Sequence, residues 1–106
     1  MRKEDVVVDC VARVYGVPRA VIEGPGRPAR VVEPRFVAMY VCRELGMSLE
    51  RSAGAVRRRD HTTAMNACRR VAGWIEVYPA VRERVKGIVA GVRSGLRVEA
   101  TNNKVR

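Results

Sequence analysis

Several residue types and patterns that mark enzymes, membrane proteins and secreted domains are scarce or missing in this chain. Aromatic residues make up only 5% of the 106 residues, so the core must be built from Val, Ala, Leu, Ile and Met. No apolar run approaches the roughly 20 residues that span a bilayer, and the N-terminus has no signal-peptide pattern. We therefore expect a cytoplasmic chain that has no membrane partner.

Cysteine and histidine are also scarce, which bears on metal binding and catalysis. Cys10, Cys42 and Cys68 form neither an even disulfide framework nor a CxxC pair, and each falls at an apolar position of a predicted helix. His61 is the only histidine, and about 10 Å of helix rise separates it from Cys68, too far for a Cys–His dyad. These residues predict reduced core thiols, no metal ion, no cofactor, no small-molecule substrate and no enzymatic activity.

Basic residues, mostly arginine, are what the chain has in excess. Lys+Arg 21 against Asp+Glu 11 gives a formal net charge of +10 at pH 7. Arginine suits forked contacts with phosphate and with guanine edges, so the predicted partner is a polyanion, most commonly a nucleic acid. Residues 1–23 carry no net charge, whereas 24–76 and 77–106 each carry +5. The first helix is therefore predicted to be structural, and the later parts to face the partner.

Apolar residues recur with helical periodicity along most of the chain, and no segment alternates as a strand would. The sequence therefore predicts an all-α fold of five to six helices. Gly16 ends the first, Pro18 begins a short second, and Pro34 begins the third after a loop at 23–30. The predicted helices cover 3–15, 18–22, 34–45, 48–56, 61–77 and 79–96, in one domain at 1–96 followed by a basic, disordered tail at 97–106.

Two adjacent helices in the middle of the chain have the pattern of a helix-turn-helix. Ser48 can cap the first, and Asp60 can cap the longer second helix at 61–77. At about 100° per residue, the apolar stripe of the second helix consists of positions 64, 67, 68, 71, 74, 75 and 78. Trp74 and Tyr78 are therefore predicted core residues rather than base-stacking platforms. A helix-turn-helix offers the N-terminal residues of its second helix to a major groove.

The stretch "RRRDHTTAMNACRR" at 57–70 resembles the signature of one known family. It is similar to the C-terminal DNA-binding domain of the bacterial replication initiator DnaA, which has arginine, aspartate, histidine and two threonines in this order, then Ala-Cys-Arg. "EPRFVAMYVCRELGMSLE" at 33–50 resembles the helix before that signature and the start of the family's helix-turn-helix. The resemblance covers roughly residues 4–96, nearly the whole chain.

The resemblance implies binding of short double-stranded sites, the DnaA boxes, through a recognition helix in the major groove and a loop arginine in the minor groove. By position, the base contacts would be Asp60, His61 and Thr62 in the major groove and Arg27 in the minor groove, with Arg30 as the alternative to Arg27. Amides at a helix N-terminus favour phosphate, so polar residues near the start of the recognition helix are expected to contact the DNA backbone. The expected contacts with the DNA backbone are Arg35, Arg43, Arg57, Arg58, Arg59, Thr63, Asn66 and Arg70.

Three departures from the family's pattern leave the preferred DNA sequence open. Arg57 and Arg58 occupy a turn that is usually glycine-rich in the family. Glu50 stands where the family has a proline that helps contact bases, and Glu33 replaces the first arginine of an arginine-proline-arginine. The chain also lacks the GxxxxGK[ST] motif of ATPases. We therefore expect a stand-alone, nucleoid-associated regulator of transcription or replication initiation without ATPase activity.

Simpler interpretations stay open for the whole chain and for single residues. The charge alone would also suit a nonspecific nucleoid-binding or RNA-binding protein, and the fold alone would suit a protein-interaction module. Asp60 could serve only as a helix cap, His61 could be a buried structural histidine, and any one arginine of 57–59 could be solvated.

Overall fold

The computed structural model describes residues 1–26 and 28–105, the last eight of these by their backbone alone. Six helices make up the described chain, and no strand occurs within it, which confirms the predicted all-α fold. None of these helices is both long enough and apolar enough to cross a bilayer. The helices are α1 Lys3–Tyr15, α2 Arg19–Glu23, α3 Ala29–Glu44, α4 Leu49–Ala55, α5 His61–Val77 and α6 Pro79–Val105.

The end of α1 follows from local sequence, as predicted, whereas α2 is shifted by one residue from the predicted 18–22. Gly16 adopts the left-handed conformation (φ +66°) that favours glycine, and its amide donates to the carbonyls of the last turn of α1. Pro18 precedes α2, which has only five residues. A helix this short leaves most of its carbonyl groups without a partner inside the helix. Two of those carbonyls, of Val21 and Ile22, accept hydrogen bonds from Arg35.

The start of α3 differs from the prediction. The helix begins at Ala29, with Pro28 as its N-cap, so Pro34 lies inside α3 rather than at its beginning. The loop between α2 and α3 is correspondingly shorter than the predicted 23–30. A proline inside a helix removes one backbone hydrogen bond, here the one to the Arg30 carbonyl. That carbonyl lies in the first turn, and Pro34 is itself buried, so packing offsets the loss.

The helix-turn-helix forms as predicted from α4 and α5. Ser48 Oγ accepts a hydrogen bond from the Arg51 amide at 3.1 Å and caps α4. Residues 56–60 connect the two helices, and α5 begins at His61 with Asp60 as its N-cap. Both caps satisfy amide groups that have no partner within the helix. The connection is short, so α4 and α5 pack against each other and against α3.

The core lies around α3, which packs against α1, α4 and α5, while α6 closes the side of α1. Ala64, Ala67 and Val71 of the predicted stripe are fully buried. Trp74 stacks on Phe36 with the ring centroids 6.0 Å apart. Tyr78 was predicted to be a core residue, but it is 55% exposed. The reason is that α5 ends at Val77, and the extended backbone of Tyr78 takes it off the helical stripe.

The C-terminal segment corrects another expectation. The backbone of residues 97–105 is helical and continues α6, where a disordered tail was predicted. Val85, Ile88 and Val92 anchor α6 in the core, and no proline interrupts the residues that follow. Once a helix is nucleated, each further residue adds one hydrogen bond at little cost, so α6 extends beyond its packed part. The side chains of 98–106 lie outside the described residues.

Candidate nucleic-acid interface

The N-terminus of α5 presents a short row of exposed polar side chains. Asp60 Oδ1 accepts a hydrogen bond from the Thr62 amide at 2.9 Å, and the Asp60 carbonyl accepts from the Thr63 amide at 3.0 Å. The Thr62 amide, and then its hydroxyl, hold the pKa of the Asp60 carboxyl below its ordinary value of 3.8. The carboxyl is therefore charged at neutral pH.

The side chains of this row point into solvent rather than into the core. Those of Asp60 and His61 are 67% and 57% exposed. Thr62 is exposed and Thr63 is half-buried. His61 is therefore not a buried structural histidine. The helix cap fixes the backbone while these side chains stay accessible, which is the geometry a recognition helix needs.

The turn before α5 holds Arg57 in a backbone conformation that favours glycine. Arg57 has a φ of +62°, the only positive φ among the described residues other than glycine. Its amide donates to the Gly54 carbonyl at 3.0 Å, and the Arg58 amide donates to the Ala53 carbonyl at 2.9 Å. These bonds close α4 with a left-handed residue just after the helix, a position where glycine is usual.

The three consecutive arginines of this turn have different surroundings. The Arg57 side chain is 73% exposed, and its Nε lies 3.6 Å from Glu23 Oε2. Arg59 is exposed. Arg58 is half-buried, and it donates from Nη1 to the Val56 carbonyl and from Nη2 to the Gly24 carbonyl, both at 2.9 Å. From the sequence, all three arginines are expected to contact the DNA backbone, whereas the structure separates Arg58 from its two neighbours.

Arg35 is buried and bonded to the loop that precedes α3. Only 4% of the residue is exposed. Its Nε donates to the Ile22 carbonyl at 3.0 Å and its Nη1 to the Gly26 carbonyl at 2.7 Å. Its Nη2 lies 3.2 Å from the Val21 carbonyl and 3.3 Å from the Gly24 carbonyl. Arg35 was predicted from sequence only as a phosphate contact, and the structure gives it a structural role.

A groove between α3 and α5 collects several of the predicted contacts. This α3–α5 groove has a volume of about 590 Å³ and no carboxylate among its lining residues. Arginine is the commonest residue type in that lining, so the groove suits an anion. The lining residues are Val32, Arg35, Phe36, Arg58, Thr63, Asn66, Arg69 and Arg70.

Two predicted contacts are not part of this groove. Arg43 lies near the end of α3, and its Nη1 donates to the Met47 carbonyl at 2.9 Å. It is an exposed residue that helps to close the turn after α3. Arg27, the predicted minor-groove contact, lies outside the described residues. Its neighbours are described: Gly26 has a φ of +84° and Pro28 caps α3.

The helix-turn-helix geometry and the exposed row at the start of α5 agree with the comparison to known families. A family model described as "Bacterial dnaA protein helix-turn-helix" matches residues 5–71, which run from α1 into α5. The chain belongs to this family. It is a DnaA-type helix-turn-helix, and DNA binding is the function of such a domain.

Individual relatives of this DnaA-type domain are proteins named as chromosomal replication initiators. The "Chromosomal replication initiator protein DnaA" of Corynebacterium jeikeium is 35% identical over 92 residues, which cover 86% of this chain and 16% of that protein. DnaA of Thermomicrobium roseum is 34% identical over 97 residues, covering 91% of this chain and 20% of the relative. DnaA of Lactococcus lactis is 41% identical over 66 residues, covering 61% and 14%. The chain thus spans at most a fifth of these proteins.

The α3–α5 groove of this DnaA-type domain also contains residues that were not predicted from the sequence as contacts. Arg69 is exposed and lines the groove, as do the half-buried Val32 and Phe36. One signal for Arg69 was available, because it shares a helix face with Thr62 and Asn66 at a spacing of three and four residues. No sequence signal indicated Val32 or Phe36, whose position depends on how α3 packs against α5.

The described part of the DnaA-type domain contains no cluster of metal-ligating side chains, and burial shifts the pKa of two of its three thiols. No group of three or more His, Cys, Asp or Glu side chains there could hold a metal ion. Burial raises the pKa of the Cys42 thiol to about 12 and also raises that of Cys68. Both thiols are therefore protonated at neutral pH, and a protonated thiol is neither a good nucleophile nor a metal ligand.

Proposed function

We propose that this chain binds specific double-stranded DNA sites and acts at the nucleoid, in the cytoplasm, as a small regulator of transcription or of replication initiation without ATPase activity. The observation that carries the proposal is the capped N-terminus of α5, whose exposed residues stand beside a groove lined by arginines without a carboxylate. The groove supplies sequence-independent attraction for phosphates, and the exposed row supplies contacts that depend on the base.

Asp60, His61 and Thr62 are the proposed base contacts in the major groove. A carboxylate has about four acceptor sites, so capping leaves Asp60 able to accept from the amino group of cytosine or adenine. His61 can donate or accept through its ring nitrogens, and Thr62 can contact either a base edge or a thymine methyl. The helix cap supports this role because a fixed backbone lowers the cost of ordering the side chains on binding.

The proposed contacts to the DNA backbone differ in how well the geometry supports them. Thr63, Asn66 and Arg70 line the α3–α5 groove, and Arg69 joins them there. Arg57 and Arg59 are exposed beside the N-terminus of α5, where helix amides favour phosphate. Arg43 keeps its proposed role from the family resemblance. The described hydrogen bonds of Arg35 and Arg58 are donated to the protein's own carbonyls. We therefore propose that these two arginines contribute to DNA binding indirectly, by holding the loop and the turn in place.

The minor-groove contact proposed for Arg27 rests on the family resemblance. An arginine entering the minor groove prefers a narrow groove of A/T-rich sequence. We propose that Arg27 favours such a step beside the base pairs contacted by α5. The preferred site would then resemble a DnaA box without having to match one, because Glu50 and the Arg57–Arg58 turn depart from the family's pattern.

The regulatory role is proposed from the part of the relatives that the chain matches. These relatives are named chromosomal replication initiators, and the chain corresponds to 16% of the Corynebacterium jeikeium protein. A chain with the DNA-binding domain and without a P-loop can occupy, block or mark sites of the DnaA-box type. We propose that it does not couple that occupancy to ATP hydrolysis, because its 106 residues contain no GxxxxGK[ST] motif.

Selection from a random pool of duplexes at physiological salt tests the proposal. The wild-type chain should enrich one short motif, and His61→Ala or Thr62→Ala should relax that motif and cost about 1–3 kcal/mol on the best site. Val77→Ala is the matched control, because Val77 is 66% exposed on the same helix. It lies about 24 Å along the helix axis from His61, at about 1.5 Å per residue.

The other outcomes of this selection identify the alternatives. Equal affinity for the enriched and scrambled duplexes would mean a nonspecific nucleic-acid binder. No binding even at low salt would leave a protein-interaction module with the DnaA-type fold. For a specific binder with about five phosphate contacts, the logarithm of the binding constant should fall with the logarithm of the salt concentration with a slope of about −4.5.

A further inference from the structure

Two arginines from different parts of the chain donate to one carbonyl in the loop between α2 and α3. The Gly24 carbonyl accepts from Arg58 Nη2 at 2.9 Å and lies 3.3 Å from Arg35 Nη2. Arg58 belongs to the turn before α5, 34 residues along the chain from Gly24. We call these three residues the loop–turn junction. It joins the segment that precedes α3 to the segment that precedes the recognition helix.

The loop side of the junction is held firmly. Arg35 is buried in α3 and also donates to the Ile22 and Gly26 carbonyls, so its guanidinium satisfies the end of α2 and the loop together. Gly24 itself is closely packed, since a Cβ added there would lie 2.8 Å from the Ala20 carbonyl oxygen. These contacts hold the Ile22, Gly24 and Gly26 carbonyls in place, and an alanine at Gly24 would displace the Gly24 carbonyl.

The turn side of the junction is a single guanidinium with two acceptors. Arg58 Nη1 donates to the Val56 carbonyl within the turn while Nη2 reaches Gly24 in the loop. The rigid planar fork of arginine fixes the angle between these two bonds, which the point charge of lysine could not do. Nearby, Arg57 Nε lies 3.6 Å from Glu23 Oε2, so a second, weaker contact joins the same two segments.

We infer that Arg58 is a positioning residue that sets the loop segment at 24–26 relative to the N-terminus of α5, and thereby sets the spacing between the DNA segments that the two elements contact. This inference rests on the proposed function, because it needs a loop and a recognition helix that both touch the duplex. Two contact elements fixed to each other bind a correctly spaced site without a cost of ordering, and they reject a site with altered spacing.

The test uses duplexes built from the motif that the wild-type chain selects. In one duplex a single base pair is added between the part contacted by the loop and the part contacted by α5. Wild type should lose roughly tenfold or more in affinity for the lengthened site, comparable to a mismatched base pair. Arg58→Lys keeps the positive charge but loses the fork, and its loss on the lengthened site should fall below about twofold.

Two further variants separate positioning from charge and from stability. Gly24→Ala changes no charge and displaces the other partner of the bond, so it should lower the spacing penalty as Arg58→Lys does. Arg82→Lys is the matched control, because Arg82 is a half-buried arginine that donates to the Ile75 and Glu76 carbonyls away from the loop. It should keep the full spacing penalty. Thermal unfolding followed by circular dichroism reports whether each variant is folded.

The possible results are distinguishable from a failure of the proposed function. If wild type selects no motif, the proposed function fails, and the inference about Arg58 fails with it. If wild type selects a motif but tolerates the added base pair, or if Arg58→Lys and Gly24→Ala keep the penalty, only the inference about Arg58 is overturned. A uniform loss of affinity in Arg58→Lys for both duplexes would also overturn it, because that pattern belongs to a phosphate contact.

Discussion

The N-terminus of α5 and the loop–turn junction are neighbouring regions that differ in which backbone groups lack a hydrogen-bond partner within a helix. At the start of α5 the amides lack acceptors, and the Asp60 carboxylate supplies one. At the junction the carbonyls of the five-residue α2 and of the following loop lack donors, and Arg35 and Arg58 supply them. Charged side chains therefore serve as caps in both regions.

The difference between the two regions is what their side chains still offer to a ligand. Asp60 and His61 keep 67% and 57% of their side chains exposed, because capping needs only one oxygen. Arg35 keeps 4% of its surface, because its guanidinium is surrounded by carbonyl groups. Residues of the first region should therefore control DNA selectivity with little effect on folding, and residues of the second should control folding first.

Arg35→Met is expected to have the largest effect and tests the junction most directly. Methionine keeps an unbranched apolar stem but donates no hydrogen bond, so the Val21, Ile22 and Gly26 carbonyls lose this partner. The free energy of unfolding should fall by about 3 kcal/mol or more, measured by urea denaturation. Arg69→Met, an exposed arginine of the same groove, should change it by less than about 0.5 kcal/mol. Equal effects of the two variants would remove the distinction between the regions.

Arg70→Gln sharpens the comparison from the side of DNA binding. Arg70 is exposed and lines the α3–α5 groove, so its removal should weaken all duplexes alike and flatten the log–log salt slope by about one unit. The stability of the fold should not change. Arg13→Gln, an exposed arginine in the last turn of α1, should leave the slope unaltered. A slope that responds to Arg13 and not to Arg70 would place the DNA on another face.

Arg57→Gly is expected to have a smaller effect of opposite sign on stability. Glycine removes the cost of holding an L-residue at φ +62°, and the weak ion pair to Glu23 is lost with the side chain. The net result should be a gain of roughly 0.5–1 kcal/mol in the free energy of unfolding. Arg59→Gly, at an exposed position for which no positive φ is found, should give no such gain. A lower free energy of unfolding in Arg57→Gly would mean that the ion pair with Glu23 stabilises the fold by more than the positive φ of Arg57 destabilises it.

Glu4→Gln is expected to have the smallest effect and concerns a structural contact away from the interface. The hydrogen bond from Arg51 lowers the pKa of Glu4 below its ordinary value of 4.5. The ionised carboxylate therefore stabilises the fold fully above about pH 4.5, and this stabilisation is lost as the pH falls through the lowered pKa. Stability measured between pH 3 and 6 should depend less on pH in Glu4→Gln than in wild type. An equal pH dependence in the two proteins would mean that the hydrogen bond from Arg51 does not stabilise the ionised form of Glu4.

The elements that were predicted correctly are those whose ends depend on neighbouring residues. Gly16, Ser48 and Asp60 act within a few residues of their own position, and each lies where the sequence indicated. The errors lie where packing outweighs a local signal. Pro34 does not begin α3, because burial of its side chain offsets the backbone hydrogen bond that its ring removes. The predicted tail is helical because α6 is anchored by its packed part.

The candidate site was also predictable where it depends on neighbouring residues, and not where it depends on contacts between distant segments. Asp60, His61 and Thr62 are exposed at the start of α5, and Thr63, Asn66 and Arg70 line one groove, although their contacts with DNA stay predictions. The sequence could not separate Arg58 from Arg57 and Arg59, because three adjacent arginines look alike until the loop that accepts from one of them is in place.

The sequence by itself determined the helices, their caps and the positive charge, since periodicity, capping residues and composition act locally or in sum. Only the tertiary structure decided which arginines bond to the protein's own carbonyls and which stay exposed. The physical reason is that a guanidinium donates wherever acceptors lack a partner. The acceptors for Arg35 lie 9 to 14 residues away along the chain, and the Gly24 carbonyl that accepts from Arg58 lies 34 residues away. Folding brings those carbonyls to the arginines, and the arginines that find none stay available for phosphate.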